Sequence, residues 1–143
     1  REIECSVLGD VEPITSVPGE IKPTDEFYSY EAKYIDENGA ELIIPAPLDK
    51  TTSANIRKIA RDAFVTLCLS GMARVDMFLE DSGGIVVNEV NTIPGFTSIS
   101  MYPKLWEATG LSFSDLVSRL IDLAIQRHDA KKSLSSRYRG NDD

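Results

Sequence analysis

The sequence predicts an α+β fold, an antiparallel sheet with packed helices, and three observations carry that prediction. Residues 2–8 alternate polar and apolar side chains (Glu2, Ile3, Glu4, Cys5, Ser6, Val7), the period of a strand. Two further strand-like runs flank Asp81-Ser82-Gly83-Gly84, residues that suit a tight turn and so bring neighbouring strands together antiparallel. Other stretches space their apolar residues three and four apart, the period of a helix with one buried face.

Taken in order, residues 2–8 read as a half-buried strand ending at the Gly9-Asp10 turn, with a second short extended run over 11–16. From 17 to 37 the pattern breaks at Pro18, Gly19 and Pro23, and Phe27, Tyr28, Tyr30 and Tyr34 crowd together. This predicts a long loop pinned by aromatic packing, and loops of that length within a domain usually serve function. Residues 41–46 form a strand stopped by proline. Asp49 or Thr51 can cap a helix that buries Ile56, Ile59, Ala60, Ala63, Phe64, Leu67 and Cys68 and ends by Gly71.

The hairpin strands cover 73–80 and 85–91, and a glycine and proline loop over 92–98 leads into a helix over 100–109, stopped at Gly110. In that helix Trp106 is a core or interface residue. A final helix opens on the capping box of Ser112 and Asp115 and buries Leu116, Val117, Leu120, Ile121 and Ala124. Past His128, a lone histidine at a helix end to which no chemistry is assigned, the residues are polar, mixed in charge and aperiodic. Residues 1–128 are therefore expected to be the folded part and 129–143 a disordered tail.

Composition narrows the partners. The 143 residues are 42% apolar, enough for one core, and carry a formal charge of −8, which argues against duplex nucleic acid or an anionic membrane. No stretch approaches the length of a membrane span and no secretory leader is evident, so a soluble cytoplasmic protein is expected. Cys5 and Cys68 both sit at apolar-face positions and are expected to be buried, reduced thiols. The chain opens at Arg1 within a strand-like pattern, as though cut from a longer protein.

The hairpin holds the strongest chemical signal. A symmetric turn at Ser82-Gly83 pairs Asp76 with Glu89, Arg74 with Asn91 and Phe78 with Val87 on one face, and turns Val75, Val90, Leu79 and Val86 to the other. Carboxylates set side by side destabilise a sheet unless something positive lies between them. Asp76, Glu89 and Asn91 offer only hard oxygens, a set that suits magnesium or manganese rather than zinc. Magnesium completes its octahedron with phosphates and water, which points to phosphoryl chemistry. A second reading of the same face is an exposed ion network of Arg74, Asp76 and Glu89 with no ligand at all.

The continuation separates these readings. R-x-D-x-F followed by N-E-V-N-T-x-P-G-F-T-x-x-S resembles the D-alanine-D-alanine ligases and their D-alanine-D-lactate relatives. R-E-I-E-C-S-V-L-G-D and F-Y-S-Y-E-A-K-Y resemble the same family in the same order, so the resemblance covers residues 1 to about 126. It implies the carboxyl-terminal portion of an ATP-grasp domain, with an antiparallel sheet over the triphosphate. The implied reaction joins two D-alanines at the expense of ATP. The first carboxylate is phosphorylated to an acyl phosphate, and the amine of the second D-alanine then displaces phosphate.

By that resemblance Asp76, Glu89 and Asn91 are ligands of two magnesium ions, or manganese, with Glu89 and Asn91 also serving the nucleotide. Arg74 and the Gly95 backbone N–H stabilise the developing oxyanion and phosphoryl group. Ser100 and the Met101 N–H, at a helix start, receive the carboxylate of the second D-alanine. Lys33 and Tyr34 close over the site, Lys33 near the γ-phosphate and Tyr34 at the second amino acid. The tyrosine favours D-alanine over D-lactate, while D-serine stays open as an alternative, as does a non-catalytic module that merely binds a divalent ion. The resemblance also implies a homodimer and places the family's amino-terminal and central parts upstream of Arg1, so the chain alone is expected to be inactive.

Overall fold

The computed structural model describes residues 1–23, 40–97 and 99–138. Six strands, β1 (Glu2–Gly9), β2 (Ile14–Thr15), β3 (Gly19–Pro23), β4 (Ala40–Ile43), β5 (Gly71–Leu79) and β6 (Ile85–Asn91), and three helices, α1 (Lys50–Thr66), α2 (Met101–Ala108) and α3 (Phe113–Tyr138), make up these residues. The strands form an antiparallel sheet in the order β4-β3-β1-β5-β6, with the short β2 also paired to β1. The α+β class read from the sequence is the class observed.

Helices cover both faces of the sheet. Ile3, Cys5 and Val7 of β1 and Ala73, Val75, Met77 and Leu79 of β5 pack on Ile56, Ala60 and Phe64 of α1, whose spacing puts them on one helix face. Asp49 caps this helix by accepting from the Thr51 and Thr52 N–H groups at 2.8 and 3.0 Å. On the other face Leu8 packs on Tyr102, Trp106 and Leu116, and Ile21 packs on Met101 and Leu105. Trp106 is therefore core. Ser112 caps α3, its Oγ accepting from the Asp115 N–H at 3.1 Å and donating to Asp115 Oδ2 at 2.7 Å.

Several expectations give way here. β1 is buried on both faces rather than one, because α1 and α2 cover opposite sides of it. Part of the expected 17–37 loop is a strand: β3 pairs with β1 through Gly19, Glu20 and Ile21. Gly19 is a packing glycine, since a Cβ there would meet Leu105 Cδ2 at 2.8 Å. The rest of that loop lies outside the described residues. At the end of α1, Leu67 and Cys68 are exposed, not core. The helix closes at Leu67 and Cys68 turns to φ 52°, so neither continues its buried face.

The final helix corrects two expectations. It continues to Tyr138, through ten residues assigned to a disordered tail. Asp129-Ala130-Lys131-Lys132 contains neither proline nor glycine, so lost periodicity signals lost packing and not a lost helix. Leu116 is buried and Leu120 partly so, whereas Ile121 is 55% exposed.

Candidate active site

The acidic residues face each other as expected, although the strands leave the turn in a different register. Arg74 pairs with Asn91, Val75 with Val90 and Asp76 with Glu89. Beyond Asp76 the register shifts by one residue, so that Phe78 faces Val86 instead of Val87. The bulge moves Val86 off the apolar face expected for it and leaves Phe78 and Val86 45% and 49% exposed beside the carboxylates. A tight turn cannot reveal such a shift, because the extra residue sits well inside the ladder.

The charges differ in their surroundings. Asp76 is buried and Glu89 exposed. Arg74, its side chain 14% exposed, donates from Nε to Asp76 Oδ1 and from Nη2 to Asp76 Oδ2, both at 2.8 Å. Burial alone would weaken its proton affinity. The hydrogen bond to Asp76 and the charges of Glu4, Asp76 and Glu89 outweigh this and raise its pKa above the ordinary arginine value, so the guanidinium stays charged. Asn91 Oδ1 accepts from the Ile93 N–H at 3.1 Å and so orients the loop that follows.

That loop is pinned by Phe96, whose ring lies 5.8 Å from that of Tyr102 and 5.3 Å from that of Phe113. The anchor sets Gly95 against Ser100: a Cβ at Gly95 would meet Ser100 Oγ at 2.9 Å. A glycine leaves the Ser100 hydroxyl free to approach this closely. Ser100 is the N-cap residue of α2 but makes no side-chain cap bond to it; its Oγ accepts from the Thr97 N–H at 3.1 Å and lies 2.8 Å from Thr97 Oγ1. Met101 opens the helix with its side chain buried against Ile21 and Leu105. First-turn N–H groups lack partners within a helix and favour an anion.

The sheet therefore brings together Arg74, Asp76, Glu89 and Asn91, and the loop separately joins Gly95 to Ser100. Lys33 and Tyr34 lie outside the described residues. Sequence reasoning missed Glu4. It is 1% exposed, pairs directly with Asp76 across β1 and β5, and places Oε2 3.0 Å from Arg74 Nε. Its alternation with Ile3 and Cys5 put it opposite the apolar face, but its neighbour depended on a pairing between strands far apart in the chain.

A divalent ion fits this donor set in type. Two carboxylates and a carboxamide supply hard oxygens, and the remaining positions would fall to phosphate and water. Among the described residues no three His, Cys, Asp or Glu side chains are grouped to cage an ion. Asp76 would have to share or exchange its contact with Arg74. A surface cavity of about 750 Å³ lies elsewhere, along α1 at Thr15, Arg57, Arg61 and Val65, and contains none of these residues. No helix among the described residues is long and apolar enough to cross a membrane.

Comparison with known proteins bears on this geometry. Residues 1–122 match the family model described as the D-ala D-ala ligase C-terminus. The D-alanine--D-alanine ligase of Shouchella clausii is 58% identical over 136 residues, 95% of this chain and 37% of that protein. The chain thus spans a little over a third of the length of the curated relatives it matches. Among solved structures, the D-alanine-D-alanine ligase of Coxiella burnetii superposes with a TM-score of 0.85 at 45% identity, over 97% of this chain and 36% of that one. The VanG D-Ala:D-Ser ligase of Enterococcus faecalis gives 0.75 at 43% identity, over 85% and 35%. The Bacillus anthracis D-alanine--D-alanine ligase complexed with ATP gives 0.72 at 30% identity, over 91% and 41%.

Proposed function

The chain belongs to the D-ala D-ala ligase family, matching its carboxyl-terminal part, and from that membership we propose that it forms the metal, phosphate and second-substrate half of an ATP-dependent D-alanine-D-alanine ligase for peptidoglycan precursors. The observation that carries the reading is the pairing of Asp76 with Glu89 beside Arg74 and Asn91 on one face of the sheet. The ATP complex of a relative with the same fold supports the nucleotide.

In this reading Asp76, Glu89 and Asn91 hold magnesium or manganese, which when bound neutralises the nucleotide's terminal phosphates. Arg74, charged and half-buried, offers guanidinium N–H groups to the phosphoryl oxygens as the first D-alanine carboxylate is converted to an acyl phosphate. The Gly95 N–H adds a donor at the carbonyl attacked by the second amine. Ser100 and the Met101 N–H orient that second substrate by its carboxylate. Lys33 and Tyr34 would close the site from the loop. Phe78 and Val86, apolar and half-exposed on the site face, suit a surface covered by the remainder of the ligase. A cytoplasmic location and a homodimeric assembly go with the same reading.

The test is the complete ligase polypeptide carrying Glu89→Gln, with its fold checked by circular dichroism. Magnesium-dependent phosphate release should fall by about a hundredfold or more. Unchanged release would overturn the reading and leave a non-catalytic ion-binding module. The likeness to a D-Ala:D-Ser ligase favours D-serine as the second reading for the acceptor. Competition between D-alanine, D-serine and D-lactate, with product ratios measured, decides between them.

A further inference from the structure

One buried carboxylate on the site face has no part in the reaction just described. Glu4 stands across from Asp76 in the β1–β5 register, and the two share a single guanidinium. Arg74 Nε carries one hydrogen; it donates to Asp76 Oδ1 at 2.8 Å, while Glu4 Oε2 lies 3.0 Å from the same nitrogen. Two acidic residues on neighbouring strands, each about 1% exposed, thus flank one N–H.

This arrangement bears on a conflict within the proposed site. Asp76 is required for a cation and Arg74 for phosphoryl charge, yet in this structure each grips the other through two hydrogen bonds. An ion that draws Asp76 away breaks a bidentate charge-assisted pair. A guanidinium left in a half-buried position without an acceptor is costly, and a long side chain released from its partner loses its aim.

We propose that Glu4 is a positioning residue that takes over Arg74 when Asp76 is recruited by a divalent cation. The inference rests on the metal reading above. Glu4 Oε2 already lies 3.0 Å from Nε, so the exchange needs only a small rotation of the guanidinium, in whose plane the Nε–H is fixed, to aim that hydrogen at Glu4. It also changes what Arg74 can do. Asp76 occupies Nε and Nη2, whereas a grip by Glu4 through Nε leaves both terminal nitrogens to face phosphoryl oxygens. Metal loading and arginine presentation become one event.

The test is a double-mutant cycle in the complete ligase, with Mn²⁺ as the probe ion, no nucleotide present, and free Mn²⁺ followed by electron paramagnetic resonance. Glu4→Gln should weaken Mn²⁺ binding about tenfold, since Asp76 stays held by Arg74. The same change in an Arg74→Met background should have little effect, because no guanidinium remains to be transferred. Equal weakening in both backgrounds would mean that Glu4 acts through its charge alone, and an unchanged affinity in Glu4→Gln would mean that it does not act on the metal; either overturns the proposal. Should Glu4→Gln fail to fold, Glu4→Asp carries the test: it keeps the charge but withdraws it from Nε, so it too should weaken binding, and wild-type affinity would overturn the proposal. Asp76→Asn separates the two levels. If it binds Mn²⁺ as the wild type does, the metal reading itself fails; if it loses Mn²⁺ while Glu4→Gln does not, the role of Glu4 alone is wrong.

Discussion

The two faces of β1 and β5 are built from alternate residues of the same strands and have opposite natures. On one, Ile3, Cys5, Val7, Ala73, Val75, Met77 and Leu79 close against α1. On the other, Glu4 and Ser6 meet Asp76 and Arg74, and only part of the surface is covered by α2 and α3. The apolar face gains its stability from burial. The polar face holds charges in place that would rather be hydrated, and it can do so because the strands are fixed from behind. Stability and chemistry are thereby separated by the thickness of one sheet.

If that separation holds, a change behind the sheet should cost folding and spare the site. Phe64→Ala removes a fully buried ring from the α1 face and should destabilise the protein by about 3–5 kcal/mol in urea unfolding. Mn²⁺ affinity per folded molecule should not change, and a parallel loss of affinity would break the comparison. Gly19 tests the opposite case, a position where packing and site geometry meet. Gly19→Ala drives a Cβ toward Leu105 and Met101 of α2 and should cost about 1–3 kcal/mol through overpacking. Ser100 and Met101 start that helix, so under the proposed function the Michaelis constant of the complete ligase for the second amino acid should rise as well. A stability loss with that constant unchanged would show that the helix start is held independently of β3.

The same contrast explains what was legible in the sequence. Local signals were reliable in the Asp49 cap and the Ser112-Asp115 box, which depend on residues close in the chain, whereas Asp76 meets Glu89 as expected only because the bulge offsets a register next to the turn that differs by one residue from the symmetric one. Signals that need a distant partner were not. Glu4 became part of the site only through the pairing of β1 with β5, and β3 was hidden because Pro18, Gly19 and Pro23 imitate a loop unless the helix pressing on Gly19 is known. The bulge after Asp76 and the continuation of α3 past His128 were hidden for another reason. The bulge leaves no mark in the polarity pattern, and past His128 the pattern lapses where packing ends although the helix goes on.

The two cysteines give the gentlest test, since it perturbs nothing. Cys5 lies on the closed face of β1, and burial pushes its thiol up to about 12, a rise only partly offset by the Ser16 hydrogen bond and the charge of Arg57. Cys68 is exposed at the end of α1. Iodoacetamide at pH 8 followed by peptide mapping should therefore modify Cys68 in the native protein and Cys5 only in denaturant. The sign of the pH effect follows. An unfolded thiol ionises near about 8.5, whereas the folded state keeps Cys5 protonated, so the contribution of this group to stability is intact below that pH and declines as pH rises toward about 12. Rapid native labelling of Cys5 would mean that the α1 face opens on its own, and the sheet could not then be the rigid backing that the charged face requires.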